Sequence, residues 1–239
     1  MLFFSPMEQY EIYSVFSMNL ILNQINIYML IVTLMLVSLA FTTSNSKLIT
    51  NWWGILNESL YKTILSMVTS YINVKSVIFL PMIYTIFHFI LFSNLVGMIP
   101  YSSTPTVEII MTLTLAFTIL IGVLIMGFFS HKLYLFAVFL PAGTPLPLIF
   151  LMVPLEILAY LTRTLSLGLR LAVNLITGHI LGKVLISFIW LAYLNNVSFI
   201  ILTLPLLLVS LFLSLELLIA YLQAYIFTFI TCITIRDII

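Results

Sequence analysis

The chain has 239 residues, of which 63% are hydrophobic and only 6% are charged. That leaves too little polar surface to cover a soluble globule of this size, so the sequence reads as an integral membrane protein. Eight basic and seven acidic residues give a net charge of +1, and no basic run points to nucleic acid as a partner.

The apolar runs are long and continuous rather than alternating, which selects helices over a closed barrel. Residues 1–24 form an amino-terminal segment in which MLFFSPMEQYEIYSVF carries two glutamates and no basic residue, so no secretory leader is evident. Residues 25–41, INIYMLIVTLMLVSLAF, make a first crossing, just long enough for roughly 30 Å of hydrocarbon. Over residues 51–73, Ile55, Leu56, Leu60, Ile64 and Met67 follow helical spacing with Asn57, Glu58 and Lys62 between them. That pattern predicts an amphipathic helix lying on the surface. Residues 77–99 and 107–129 are two further crossings joined by PYSSTPT, whose prolines and hydroxyls mark a turn. After His131 and Lys132, three prolines and a glycine exclude regular helix over 141–147.

Two longer apolar runs follow, 148–194 and 197–235, with Asn195 and Asn196 as the turn between them. The first would be about 70 Å long as one helix, more than twice the hydrocarbon thickness. Either each run splits into two crossings or both lie as a steeply inclined hairpin. No polar loop supports a split. The expected fold is therefore an all-α membrane domain over 1–239, with five membrane-embedded helices and one amphipathic surface helix. Its last two helices form a long, steeply tilted antiparallel hairpin.

A turn near residue 196 sets Arg170 level with Gln223, His179 with Glu216, and Glu156 with Arg236. Basic residues fall in the connections after the first and third crossings: Lys47, Lys62 and Lys75, then His131 and Lys132. By the positive-inside rule those loops face inward. The amino terminus and the Asn195 turn are then outside, and the carboxyl terminus inside.

Arg170, in LSLGLRLAVNLITGHILGKVLISFIW, is the residue most in need of a reason. Burial cannot neutralise a guanidinium, and membrane depth costs it roughly 2.5 to 3.5 kcal/mol on insertion scales. At 100° per residue Asn174 lies about 40° from Arg170, Arg163 and Glu156 near the same stripe, and His179 on the opposite side. His179 with Glu216 near the outer turn, and Glu156 toward the inner end, make two ionisable patches flanking a permanent cation. Asp, Glu and His inside a membrane are ingredients of proton relays. An arginine between them cannot relay a proton, but it favours ionisation of an approaching carboxylate. The alternative is structural: Arg170 bonds Gln223, and Glu216 bonds His179, to fix helix register. Arg163 either reaches a headgroup or pairs with Glu156. Lys183 falls on a water-facing or subunit face, Glu108 is interfacial, and His88 and Cys232 read as packing residues.

SLGLRLAVNLITGHIL, with PAGTPLPL before it and LELLIAYLQAYIF after it, resembles the subunit a family of F-type ATP synthases. NLVGMIPYSSTPT is similar to that family after its second crossing, and SPMEQYEI to its fungal mitochondrial members. The resemblance runs from about Ser5 to the end, and its arginine with Asn at plus four and His at plus nine is its most specific motif. It implies that Arg170 faces a rotating ring of c subunits and that Asn174 and Gln223 support this interface. It further implies that His179 and Glu216 line the half-channel open to the intermembrane space, and Glu156 the half-channel open to the matrix. Bacterial members tend to carry an acid where His179 stands and a histidine where Glu216 stands, so this order favours a mitochondrial inner-membrane protein. Residues before Ser5 would be a short removed leader. The implied partners are the c-ring, the peripheral stalk and other membrane-sector subunits, protons and the lipid bilayer. No cofactor or metal is expected, and with no GxxxxGK[ST] the ATP chemistry would lie in other subunits. A secondary transporter would show internal repeats, which are not found, and a membrane scaffold would need no buried arginine.

Overall fold

The computed structural model describes residues 24–43, 52–72, 78–99, 105–132, 146–195 and 199–238. SPMEQYEI, Lys47, Lys75, most of PYSSTPT, Pro141, Pro145 and Asn196 lie outside them. The elements in chain order are α1 (Gln24–Thr43), α2 (Trp52–Ile72), α3 (Leu80–Gly97), a 3-10 turn (Pro105–Val107), α4 (Ile109–His131), α5 (Leu146–Leu194) and α6 (Phe199–Ile238). Among the described residues there is no strand, and the chain is all-α as its continuous apolar runs require. Helices α3, α4, α5 and α6 are each long and apolar enough to cross a membrane. The apolar stretch of α1, Tyr28–Ser38, is shorter, and α1 packs on α3 with Val32 fully buried.

Two prolines sit where helices begin. Pro81 occupies the first turn of α3 and Pro147 the first turn of α5, where no intrahelical N–H is needed. Helix α5 therefore starts at Leu146, inside the proline-rich stretch expected to be irregular. Pro154 and Pro205 lie within α5 and α6 without ending them. Membrane helices tolerate such prolines because neighbouring helices, hydroxyl side chains, waters and small local adjustments of the helix re-satisfy the freed backbone groups.

Helix α2 splits its apolar stripe by depth. Ile64, Met67, Val68 and Ile72, at helical spacing, are buried against α3 and α6, and Tyr71 meets Phe229 edge-on at 5.0 Å. Leu56, at one end of the same stripe, and Ile55, half a turn around the helix from Ile64, are half exposed. The opposite face carries the exposed pair Lys62–Glu58 at 2.8 Å, and Lys62 holds the Glu58 carboxyl below its ordinary range.

The bundle core runs through Ile83, Phe87 and Ile90 of α3, Ala116, Leu120 and Val123 of α4, and Phe227 and Ile235 of α6. His88 is buried among Tyr84, Phe87 and Phe92, its Nδ1 3.0 Å from the Tyr84 carbonyl. Cys232 is buried in the same core. Helices α4 and α5 approach closely at Gly168, where a Cβ would stand 3.1 Å from the Thr112 carbonyl oxygen. Small residues at such crossings let backbones meet. Helices α5 and α6 run antiparallel, and α5 ends before Asn195, whose N–H donates to the Leu191 carbonyl at 3.1 Å. Along both helices a row of leucines, among them Leu161, Leu165 and Leu169 of α5 and Leu211, Leu218 and Leu222 of α6, stays exposed.

Candidate functional site

The α5–α6 hairpin sets the site, because its register decides which polar side chains share a level. Gln223 Nε2 lies 3.5 Å from the Arg170 backbone carbonyl and donates to it. Gln223 is buried and belongs to the seam between the helices. The guanidinium is elsewhere: Arg170 is exposed on the outside of the hairpin, as is Asn174 one turn on. Among the described residues no carboxylate lies within ion-pair distance of Arg170, since the two ion pairs are Lys62–Glu58 and Arg163–Asp237. Gln223 thus satisfies the backbone of Arg170 and leaves its charge unneutralised.

Toward the turn, Glu216 of α6 packs onto Gly178 of α5. A Cβ at Gly178 would collide with the Glu216 carboxylate, so the absence of a side chain there is what lets the acid lie against α5. Asn174, Thr177 and Gly178 of α5, Glu216 and Gln223 of α6, and Asn94 of α3 are among the residues lining a cavity of about 250 Å³. Asn94 is fully buried, and its Nδ2 donates to the Ala220 carbonyl at 3.3 Å. The cavity walls also include Leu175, Phe212 and Ile219. A carboxyl, three amides and a hydroxyl therefore converge in an otherwise apolar setting, the usual build of a binding or transfer site.

His179 and Glu216 share a level, but they form no ion pair, and His179 is turned to α3, within hydrogen-bonding reach of the Gly97 backbone. One residue of helix rotates a side chain by about 100°, so Gly178 rather than His179 receives Glu216. Glu156 and Arg236 form no ion pair either among the described residues. Arg236 is exposed, while its neighbour Asp237 turns inward. Asp237 Oδ2 accepts from both Arg163 Nη1 and the Tyr160 hydroxyl at 3.3 Å each. The Arg163 guanidinium stands 5.2 Å from the Tyr160 ring centroid, within cation–π range. Asp237, not Glu156, is therefore the partner of Arg163, and Arg163 is pinned to α6 rather than reaching for a headgroup.

Glu156 lies half-exposed near the start of α5, roughly 21 Å along the helix from Arg170 at 1.5 Å per residue. The structure thus brings Asn174, Glu216 and Gln223 to one cavity, leaves Arg170 on the exposed face that Asn174 borders, turns His179 to α3, and leaves Glu156 apart. Asn94, Tyr160 and Asp237 escaped the sequence reading. An asparagine inside IYTIFHFILFSNLVG was a legible signal for the first, since a buried amide in an apolar helix needs a partner. Nothing local marked Asp237, because only the hairpin register brings it to Arg163.

A family model described as ATP synthase A chain matches residues 25–236. The chain is similar to ATP synthase subunit a of Emericella nidulans, at 39% identity over 98% of this chain and 95% of the relative. It is similar to the subunits a of Trichophyton rubrum, at 40% over 98% and 95%, and of Neurospora crassa, at 40% over 98% and 93%. A match over almost the whole of both chains at this identity carries the fold with it, and the chain belongs to the ATP synthase subunit a family.

Proposed function

We propose that this chain, as the proton-translocating stator subunit of an ATP synthase membrane sector, forms two offset proton half-paths against a rotating ring of carboxylate-bearing subunits. It works with other membrane-sector subunits and is a multi-pass protein of the mitochondrial inner membrane. The observation that carries the reading is Arg170: an exposed guanidinium on an apolar hairpin face, with no carboxylate of its own chain within ion-pair distance among the described residues. Such a charge at membrane depth calls for a counter-ion from outside the chain.

A ring carboxylate arriving within about 4 Å of Arg170 would gain about 4 kcal/mol from the charge at an effective dielectric near 20. That equals about three pKa units, enough to strip a proton from a carboxylic acid that holds it in lipid. Between the half-paths Arg170 therefore forces ionisation and repels hydronium. Protons reach the ring from the outer side by way of His179, Glu216 and the cavity that Asn174 and Gln223 share. They leave past Glu156 on the inner side, where the Arg163–Asp237–Tyr160 cluster fixes the end of the hairpin. ATP is made in other subunits of the complex. With the lysine-bearing connections inward, the amino terminus faces the intermembrane space and the carboxyl terminus the matrix.

The test is proton-driven ATP synthesis by the assembled complex in lipid vesicles, comparing native protein with Arg170→Ala and Arg170→Lys. Both variants are expected to assemble. Loss of the charge in Arg170→Ala abolishes coupled synthesis and raises proton leak, since about 4 kcal/mol corresponds to roughly a thousandfold. Arg170→Lys retains charge but not the fixed planar fork, and is expected to be strongly impaired. Coupled synthesis at native rate in both variants would make Arg170 a structural residue and end this mechanism.

A further inference from the structure

Asn94 stands on α3 where that helix packs against α6, and it is fully buried. Its Nδ2 donates to the Ala220 carbonyl at 3.3 Å. A carbonyl can only accept, so this contact decides which end of the amide is nitrogen and turns Oδ1 the other way. Oδ1 is buried and meets no donor among the described residues. The same side chain lines the cavity of about 250 Å³ that Glu216 shares. Leaving an amide carbonyl dry costs about 1 to 3 kcal/mol, in a helix where an apolar residue would cost nothing. A cavity of this size has room for several waters, each needing two to four partners, and its polar groups are the carboxyl, amides and hydroxyl named above.

Polar groups flank Asn94 on both sides along α3. Ser93, fully buried, donates to the Thr106 hydroxyl of the 3-10 turn at 3.3 Å, and the Gly97 backbone faces His179. Three polar groups within one turn and a half of an otherwise apolar helix thus face the turn and the hairpin.

We propose that Asn94 is a positioning residue of the outer half-path: tied to α6 through Ala220, it holds an ordered water through Oδ1 and presents that water to the Glu216 carboxyl. The assignment rests on the reading of Glu216 as a proton carrier. A neutral amide suits the task because it orients the water without titrating. An excess proton carried by the water passes to the Glu216 carboxylate; one O–H bond breaks, one forms, and the water stays in place. Glu216 is the ionisable group that lines the cavity with Asn94, and the elements packed about it also carry Arg170, His179 and Lys183 on α5, Glu108 before α4 and His88 on α3 itself.

The experiment uses the assembled complex in lipid vesicles and measures ATP synthesis while the pH on the Asn195-turn side is stepped. The pH difference and the potential are held constant. Asn94→Val is expected to lower the rate about tenfold, the scale of one lost hydrogen bond, and to move the outer-pH midpoint. Asn94→Asp, which while protonated keeps both a donor and an acceptor, restores the rate at low outer pH and loses it as that pH rises. A native rate in Asn94→Val overturns the proposal. So does a loss with an unmoved midpoint that Asn94→Asp does not recover, since that is the behaviour of a packing residue. If Asn94→Val fails to assemble, Asn94→Asp decides alone, and a native pH profile there overturns the proposal. Glu216→Gln run alongside separates the two levels: a native rate in it ends the carrier reading, whereas a block in it with native behaviour in both Asn94 variants removes only Asn94.

Discussion

Glycines at 178 and 182, one turn apart on α5, face the same partner helix and answer differently to one added methyl. At Gly178 the Cβ collides with the Glu216 carboxylate, while at Gly182 it would stand 3.7 Å from Phe212, ordinary contact. The obstacle at 178 is the far end of a flexible side chain, so Gly178→Ala moves the acid rather than the backbone, at about 1 kcal/mol of rotamer strain. Gly178→Ala is therefore expected to assemble normally yet to reduce proton-driven ATP synthesis several-fold, and Gly182→Ala to match native protein in both. Equal rates in the two variants would mean that the seat of Glu216 on α5 has no bearing on transport. At the edge of the bundle, burial pushes the Glu108 carboxyl up from its ordinary range, in keeping with a residue between water and lipid.

Helices α4 and α5 meet at a contact with less tolerance. The neighbour of Gly168 includes backbone, the Thr112 carbonyl oxygen, which cannot swing aside as a carboxylate can. Gly168→Leu is expected to destabilise by about 1 to 3 kcal/mol, the cost of overpacking, and to displace α5 two residues from Arg170. Thermal denaturation of the solubilised complex should show a lowered midpoint. A native midpoint together with native ATP synthesis would show that α5 has freedom at this crossing that its geometry denies. Helix boundaries followed simple rules here: prolines at the starts of α3 and α5, and apolar runs without polar breaks for the hairpin. The surface helix α2 obeyed its periodicity only in part, since Ile64 and Met67 found the core while Ile55 and Leu56 did not.

Across the whole molecule, the inferred orientation gives a labelling test. Native Cys232 is fully buried, so it contributes little background to thiol labelling. A membrane-impermeant maleimide added from the intermembrane-space side should modify Asn195→Cys at once and Lys132→Cys only after the membrane is permeabilised. The reverse pattern would invert the assigned topology and exchange the two half-paths. The row of exposed leucines along α5 and α6 is continuous with Arg170, so the face that carries the charge is also the one that its own chain leaves uncovered.

Composition and run length alone determined the membrane solvent, the helical class and the two helices of unusual length, because 3.6-residue periodicity and apolar length are local properties. Arg170 and its neighbours at plus four and plus nine were equally legible, since a charge in an apolar run is costly wherever it points. Only the tertiary structure decided the partners. A sum of residue numbers fixes the level across a hairpin but not the angle around each helix, and 100° of rotation is enough to give Glu216 to Gly178 and turn His179 to α3. The same rotation exposed Arg236 and handed Asp237 to Arg163. Asn94 reached the site from a third helix, 126 positions from the Ala220 carbonyl that holds it. No pattern within one segment can show such a contact, because it is made by packing between helices rather than by the period of either one.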